Sequence, residues 1–294
     1  MFPSHDQRGS EKIGGVNASV VLNTEGQSVT FVYVDGTQGW VNVQDSTSNE
    51  RAESFVAATG GTITTSGNCK IHTFTGPGTF TVTTTASCSA NNVVSHLVVA
   101  GGGAGGSDLG GGGAGGYREV KSPVTPYTAS PLDGYPSAPN RVTVTAQAYP
   151  ITVGGGGAAV PGATNGTPGG VSTFSTVTSA GGGGGAKSGA PRAGDNGGSG
   201  GGAGGTDNGS GTGGTGNTPP VSPAQGSNGG PAPSTPGSEF SSGGGGGATA
   251  AGSTGSAGEG GNGGAGATTS ITASPVAYAG GGGGASYRLG RFRS

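Results

Sequence analysis

The residue types that could do chemistry are few. His5, His72 and His96 are the only histidines, and Cys69 and Cys88 the only cysteines, in 294 residues. A structural zinc site takes four Cys or His ligands at short, regular spacings, and these five are scattered too widely to make one. No serine elbow, Cys–His nucleophile context or carboxylate pair stands out, so neither covalent nor acid–base catalysis is expected. Residues 181–188 approach a phosphate-binding loop. However, Ala186 stands where the glycine before Lys187-Ser188 is required, and no helical pattern follows. Residues 201–207 approach a calcium-binding β-roll repeat, but Asp207 falls one position late and the nonapeptide does not recur. The chain reads as a non-enzyme with no cofactor and no metal.

The elements that would have to position any site say more. Val98-Val99-Ala100 passes straight into Gly101-Gly102-Gly103 and on, almost purely glycine, to residue 106. The same join returns at Ile151-Thr152-Val153 before Gly154-Gly155 and at Thr178-Ser179-Ala180 before Gly181-Gly182. It returns again at Phe240-Ser241-Ser242 before Gly243-Gly244 and at Ala277-Tyr278-Ala279 before Gly280-Gly281. Each run leads to an alanine: Ala104, Ala158, Ala186, Ala248 and Ala285. Five copies of one junction make a repeat. A second kind of run follows an acidic residue, after Asp108, Asp195 and Glu259, as a returning leg would follow an outgoing one.

Glycine supplies 73 residues, while 29% are hydrophobic and 9% charged. Disordered chains combine low hydrophobicity with high charge, and this one has the first without the second. Beyond residue 153 large apolar side chains are too sparse to offset chain entropy by burial. Backbone hydrogen bonds must then hold that half together. An ordered glycine costs roughly 0.5–1 kcal/mol more than alanine, and a backbone hydrogen bond returns roughly 0.5–1.5 kcal/mol. The balance closes only if nearly every N–H and C=O in the runs is paired. Collagen is excluded because the run at 181–185 breaks the Gly-X-Y period. The three-fold helix of polyproline II type has no internal hydrogen bonds, so legs of glycine can bond to neighbours on all sides. Legs of about six to nine residues at ~3.1 Å rise would be roughly 19–28 Å long. Isolated Ala and Ser are expected only where a leg faces outward or into a gap.

The expected fold is all-β plus a polyglycine II bundle, with no α-helix. Residues 1–15 form a lead-in and 16–60 a β module. Its strands are read at Val20–Leu22, at 29–34 and at 40–43, in a three-stranded meander. Trp40 anchors this small core, or stacks on a ligand. Residues 61–100 form a second β region in which 69–74 and 79–83 flank a Gly76-Pro77-Gly78 turn. Cys69 and Cys88 lie almost symmetrically about that turn, so a cross-strand disulfide and two free thiols are both open. Residues 101–285 are the glycine scaffold with loops, and 286–294 a basic tail with Arg288, Arg291 and Arg293. The net charge of −2 and the lack of a basic patch argue against nucleic acid. No apolar stretch approaches the ~20 residues of a membrane span, so no membrane insertion is expected. The first residues show neither a basic nor an apolar leader segment.

The ordered set Ile71-His72-Thr73-Phe74-Thr75-Gly76-Pro77-Gly78-Thr79-Phe80, Leu97-Val98-Val99-Ala100-Gly101-Gly102-Gly103, Gly115-Gly116-Tyr117-Arg118-Glu119 and Ile151-Thr152-Val153-Gly154 resembles the glycine-rich domain of tailed-phage structural and tail-fibre proteins. The resemblance covers residues 61–185 and, more loosely, the remainder to 285. The legs and loops are similar to the polyglycine II adhesins at the fibre tips of T-even-like phages, from which the N-terminal shaft-like β region and the Cys pair depart. That resemblance implies a virion tail-fibre location, and a scaffold whose loops contact a host-surface protein or polysaccharide. It also implies assembly with other fibre subunits in a homo-oligomer, with a trimer favoured. Assembly in a reducing cytoplasm would favour thiols at Cys69 and Cys88. The loop residues for receptor contact are Tyr127, Leu132 and Tyr135, then Pro219, Val221 and Phe240. Tyr117, Tyr149, Phe240 and Tyr287, which border glycine runs, can equally be caps on the legs. The alternative is a non-adhesive filament, an extracellular or surface fibre built on the same packing.

Overall fold

The computed structural model describes residues 4–6, 12–13, 15, 20–22, 28–45, 54–107, 109–159, 161–162, 164–189, 192–205, 209–234, 239–256 and 258–288. The chain divides into two compact units, 1–54 and 55–294. It is all-β. Among the described residues there is no α-helix, only short 3₁₀ turns at Ser89–Asn92 and Ala138–Asn140.

In the first unit the meander does not form as expected. Val20–Leu22 pairs with Ser4–Asp6, inside the expected lead-in. Val29–Asp35 and Gly39–Asp45 form a separate antiparallel ribbon. Its turn is set by Asp35, whose Oδ1 accepts the N–H groups of Gln38 at 2.7 Å and Thr37 at 2.8 Å. Those bonds hold the carboxyl below the usual carboxylate range. Trp40 is not a buried anchor. It meets the Tyr33 ring edge-on at 5.5 Å and stays 37% exposed, because a two-stranded ribbon offers no second layer to cover it.

The second unit begins with a conventional core. Phe80, Val82, Val98, Val142, Val144, Tyr149, Phe174 and Val177 are buried together, with Phe80 and Phe174 edge-to-face at 6.0 Å. The central sheet has five strands, in the order Val177–Ser179, Ser172–Phe174, Ala148–Thr152, Gly78–Thr84, Ala57–Thr59. The strand Ala57–Thr59, expected in the first module, therefore belongs here. The Gly76-Pro77-Gly78 segment does not close a hairpin. Cys69–Thr73 pairs with Thr62–Ser66, while Gly78–Thr84 pairs with Ala148–Thr152 and Ala57–Thr59. Strands that enter different sheets cannot place Cys69 opposite Cys88, and both cysteines are free.

Past residue 100 the runs carry neither strand nor helix, yet they bond densely to one another. The pattern repeats every three residues. Ala100, Gly103 and Gly106 donate to Gly116, Gly113 and Gly110, while Gly101, Ala104 and Ser107 donate to Gly170, Thr167 and Thr164. Gly182 and Gly185 donate back to Gly101 and Ala104. Three bonding directions turned by a third of a revolution per residue are the signature of a three-residue helix without internal bonds, which is polyglycine II.

Run 199–204 shows the lattice complete. Its N–H groups donate in pairs to 114 and 111, to 227 and 230, and to 195 and 192. Its carbonyls accept from 183 and 186, from 243 and 246, and from 214. Six neighbours surround one leg, donor and acceptor directions alternating. Spacing this close needs glycine: a Cβ built on Gly201 would lie 2.0 Å from the Gly184 oxygen. Alanine and serine nonetheless enter the interior. Ala186, Ala203 and Ser199 are fully buried in gaps between runs, and Ser199 Oγ donates to Gly247 O at 3.2 Å. Peripheral runs instead carry a side chain outward every third residue. Glu259, Asn262, Ala265 and Thr268 are exposed while Gly261, Gly264 and Ala267 are buried. Thr212 and Thr215 are exposed while Gly211 and Gly214 are buried.

Candidate functional site

Run 110–116 ends by becoming a strand, Tyr117–Val120, paired with His96–Val99. Strand alternation puts Tyr117 and Glu119 on one side, both buried. Glu119 is the hub of this end. Its Oε2 accepts the Tyr117 hydroxyl at 2.6 Å and the Ser130 N–H at 2.9 Å, and its Oε1 accepts the Thr269 hydroxyl at 2.6 Å. A carboxylate 2% exposed survives because three donors replace water. Burial, with Glu119 beside them, raises the Tyr117 and Tyr127 phenols above their ordinary range.

Each bond of Glu119 reaches a different segment, so one side chain fastens two loops to the lattice. The loop at 121–141 is tied further. Asp133 Oδ1 accepts Lys121 N–H at 2.9 Å and Tyr135 N–H at 3.0 Å, and Gly134 N–H donates to Glu119 O at 2.8 Å. Arg118 donates to Asn140 Oδ1 at 2.7 Å, and Asn140 Nδ2 donates to Ser222 O at 2.8 Å. Ser270 N–H donates to Thr128 O at 2.9 Å. Gln225, 1% exposed, does for loop 217–226 what Glu119 does for its neighbours. Its side chain accepts Ala180 N–H and donates to Pro219 O, both at 2.8 Å, and its carbonyl accepts Tyr117 N–H at 2.8 Å. Three loops are thus bolted side by side on the end of the glycine lattice.

Of the six expected receptor residues, five gather here. Tyr127 is half-buried beneath Lys121, whose ammonium lies 5.9 Å from the ring. Leu132 packs toward buried Tyr117, and Tyr135 lies under Arg141 at 4.3 Å. Pro219 is exposed, and Val221 is half-buried with its N–H on Asn217 Oδ1 at 3.1 Å. Phe240 stands apart. Ser242, two residues on, bonds with Leu109 and Ala285, whereas Ala248 at the other end of the same run packs against Tyr117. Six steps of ~3.1 Å put Ser242 roughly 19 Å from Ala248, so Phe240, two residues before Ser242, stands at the opposite end. There its ring stacks on Tyr287, 6.3 Å between centroids and 17° between planes. The exposed residues of these loops are uncharged, Pro123, Val124, Pro126, Pro131, Pro219 and Pro220 among them, while Lys121, Asp133 and Arg141 are half-buried.

The remaining chemistry-bearing residues are absorbed by structure. His72 Nδ1 lies 2.8 Å from Gly60 O. His96 is buried against Phe174 at 5.6 Å, and burial pulls it down to about 4. Around it Arg118, Asn140 and Pro223 meet with no space for a water molecule. The amides of Gly182, Gly183, Gly185 and Ala186 donate to Gly101, Ser199, Ala104 and Gly202, so none cradles a phosphate. Asp207 lies outside the described residues. Among the described residues no His, Cys, Asp and Glu cluster could hold a metal ion, and no helix is long and apolar enough to cross a membrane. The structural glycines are lattice members: Gly101, Gly103, Gly182, Gly243, Gly244 and Gly281 all donate to other runs, Gly154 donates to Ser172 Oγ, and the carbonyls of Gly102, Gly155 and Gly181 accept. Glu119 and Gln225 were missed by sequence reasoning. The signal available for Glu119 was a carboxylate in a strand directly after a glycine run, on the same side of it as Tyr117.

Residues 73–294 match the family model of the glycine-rich domain. The chain belongs to that family. No curated protein and no solved structure matches it. The matched glycine-rich domain takes in the lattice, both ends of its runs and all three bolted loops, and it starts at the last residue of the strand Cys69–Thr73.

Proposed function

We propose that this protein is a tail-fibre or adhesin subunit of a tailed phage, with loops 121–141 and 217–226 forming the surface that meets a host receptor. The observation that carries this reading is the bolting of those loops, through Glu119, Asn140 and Gln225, to a lattice with six-fold coordinated legs. A loop held that way has little freedom left to lose on binding, which lowers the cost of recognition. The partner is a cell-surface protein or polysaccharide that accepts an uncharged, proline-lined face. The ribbon Val29–Asp35 with Gly39–Asp45, which leaves Val32, Tyr33, Val34 and Val43 exposed, serves attachment to other subunits, a homotrimer being the natural fibre arrangement.

A virion carrying Val124→Glu with Pro131→Glu tests the surface without touching the buried hub. Adsorption to its host should fall about tenfold or more, as for central interface residues, while the melting temperature of the purified chain stays put. Unchanged adsorption sinks the receptor role of this face. The second reading, a structural filament without a receptor, is favoured by a different feature, the exposed Gly155 and Gly156, whose N–H groups have no acceptor among the described residues.

A further inference from the structure

The lattice has a vacancy. In run 110–116, residues 110, 113 and 116 donate to run 180–186, and residues 111 and 114 donate to run 243–246. Among the described residues, the N–H groups of Gly112 and Gly115 have no acceptor, although both residues are buried. They stand three apart and therefore point the same way. Buried backbone donors are almost always paired, so this row needs a reason.

Its direction is fixed by the alternation of donors and acceptors around the leg. Run 100–106 lies on one side of the row, donating to 113 and 110. Run 279–285 lies on the other, donating to 112 and 109. Together they make a groove with run 110–116 as its floor. A Cβ on Gly102 would stop 3.5 Å from Gly113 O and 3.8 Å from Gly115 N, touching nothing else within 4 Å. The three atoms nearest a Cβ on Gly282 all belong to residues 111 and 112, the nearest at 3.2 Å. Among the described residues no other segment comes that near to either Cβ. Beside Gly184, by contrast, the Asp195 carboxylate reaches within 3.0 Å of where a Cβ would stand.

A second oddity complements the first. Among the described residues, run 154–157 bonds to only two neighbouring runs, donating from Gly157 to Gly102 and accepting at Gly155 from Gly170. Gly155 and Gly156 are exposed, and among the described residues their N–H groups have no acceptor. A Cβ on Gly155 would meet nothing within 4 Å, so the fold of one chain gives no reason for glycine there. A leg with two of six sides occupied has four open, and the groove requires three.

We propose that the groove between runs 100–106 and 279–285 receives run 154–157 of a second copy of this chain, whose carbonyls take the Gly112 and Gly115 N–H groups. Groove and leg are different surfaces of the same molecule, so the contact is head-to-tail, and it closes a ring or extends a fibre. It holds whether or not the loops bind a receptor.

The test uses the whole chain, isotope-labelled, with sedimentation and amide exchange read together as concentration rises. Association should be accompanied by a slowing of Gly112 and Gly115 exchange of about tenfold or more. Gly102→Val fills the groove and Gly155→Val blocks the leg. Each variant should melt like the parent and fail to associate alone. Mixed, they should give a one-to-one dimer and nothing larger, since one still offers a leg and the other a groove. Concentration-independent exchange at Gly112 and Gly115 in the parent chain overturns the proposal, as does Gly102→Val associating like the parent. Protection by added hexaglycine peptide without self-association assigns the groove to a foreign segment and also overturns it.

Discussion

Around Phe174 the chain packs by side chains, and around Gly201 it packs by backbone. The first region buries Phe80, Tyr149 and Val82 and satisfies its hydrogen bonds within ordinary sheets. The second buries almost no apolar side chain and uses each residue's N–H and C=O on different neighbours. An aromatic core is non-directional and adjusts partly when an atom is removed. A glycine lattice adjusts poorly when an atom is added to an interior leg, because a leg such as run 199–204 is gripped from six directions at backbone contact distance.

The largest effect should come from adding atoms inside the lattice. Gly201→Val would drive its Cβ onto the Gly184 oxygen, so a loss beyond about 5 kcal/mol and no cooperative thermal transition are expected. A near-parental melt would show the lattice to be more pliant than six-fold coordination allows. Removing atoms from the aromatic core comes next. Phe174→Ala should cost about 3–5 kcal/mol in denaturant titration, with amide exchange in run 199–204 showing whether both regions open together.

The third effect is on pH. Burial holds folded His96 at about 4 against an ordinary 6.5. Above 6.5 both states carry a neutral imidazole. Between 6.5 and 4 the unfolded chain binds a proton that the folded one refuses, so stability falls as pH drops through that window, by on the order of 3 kcal/mol. His96→Gln should flatten that slope, and an unchanged slope would place the proton uptake elsewhere. The smallest effect is at the periphery. Gly155→Ala should shift stability by no more than ~0.5 kcal/mol in dilute solution, because nothing lies within reach of its methyl. The same substitution at Gly201 sharpens the contrast, since there the methyl has no room.

Much of the second unit was legible in sequence. The five junctions, beginning with Val98-Val99-Ala100 before Gly101, do mark where strands give way to glycine legs. The requirement that nearly every amide be paired is met in run 199–204. The pairing partners were not legible. The Gly76-Pro77-Gly78 segment reads as a hairpin turn because local rules favour one, but the flanking strands find better-covered partners in Ala148–Thr152 and Thr62–Ser66. The outward side chains at Thr212 and Thr215 carried a readable period of three. Across the whole chain that period is hidden by runs such as 181–185, which are glycine at every position. Glu119 looked like an ordinary charged residue, and its burial depends on Ser130 and Thr269, 11 and 150 positions away.

The sequence alone determined that this chain could not be helical, could not build an apolar core over most of its length, and had to pair its backbone to fold. Those follow from composition and the energetics of glycine, which do not depend on neighbours. Only the tertiary structure decided which legs are coordinated on all six sides, which loops share an end, and which amides are left facing a vacancy. In a lattice of nearly identical glycine runs the residues carry almost no address. Position is then set by the three-residue phase of each leg against all the others at once, and no single stretch contains that information.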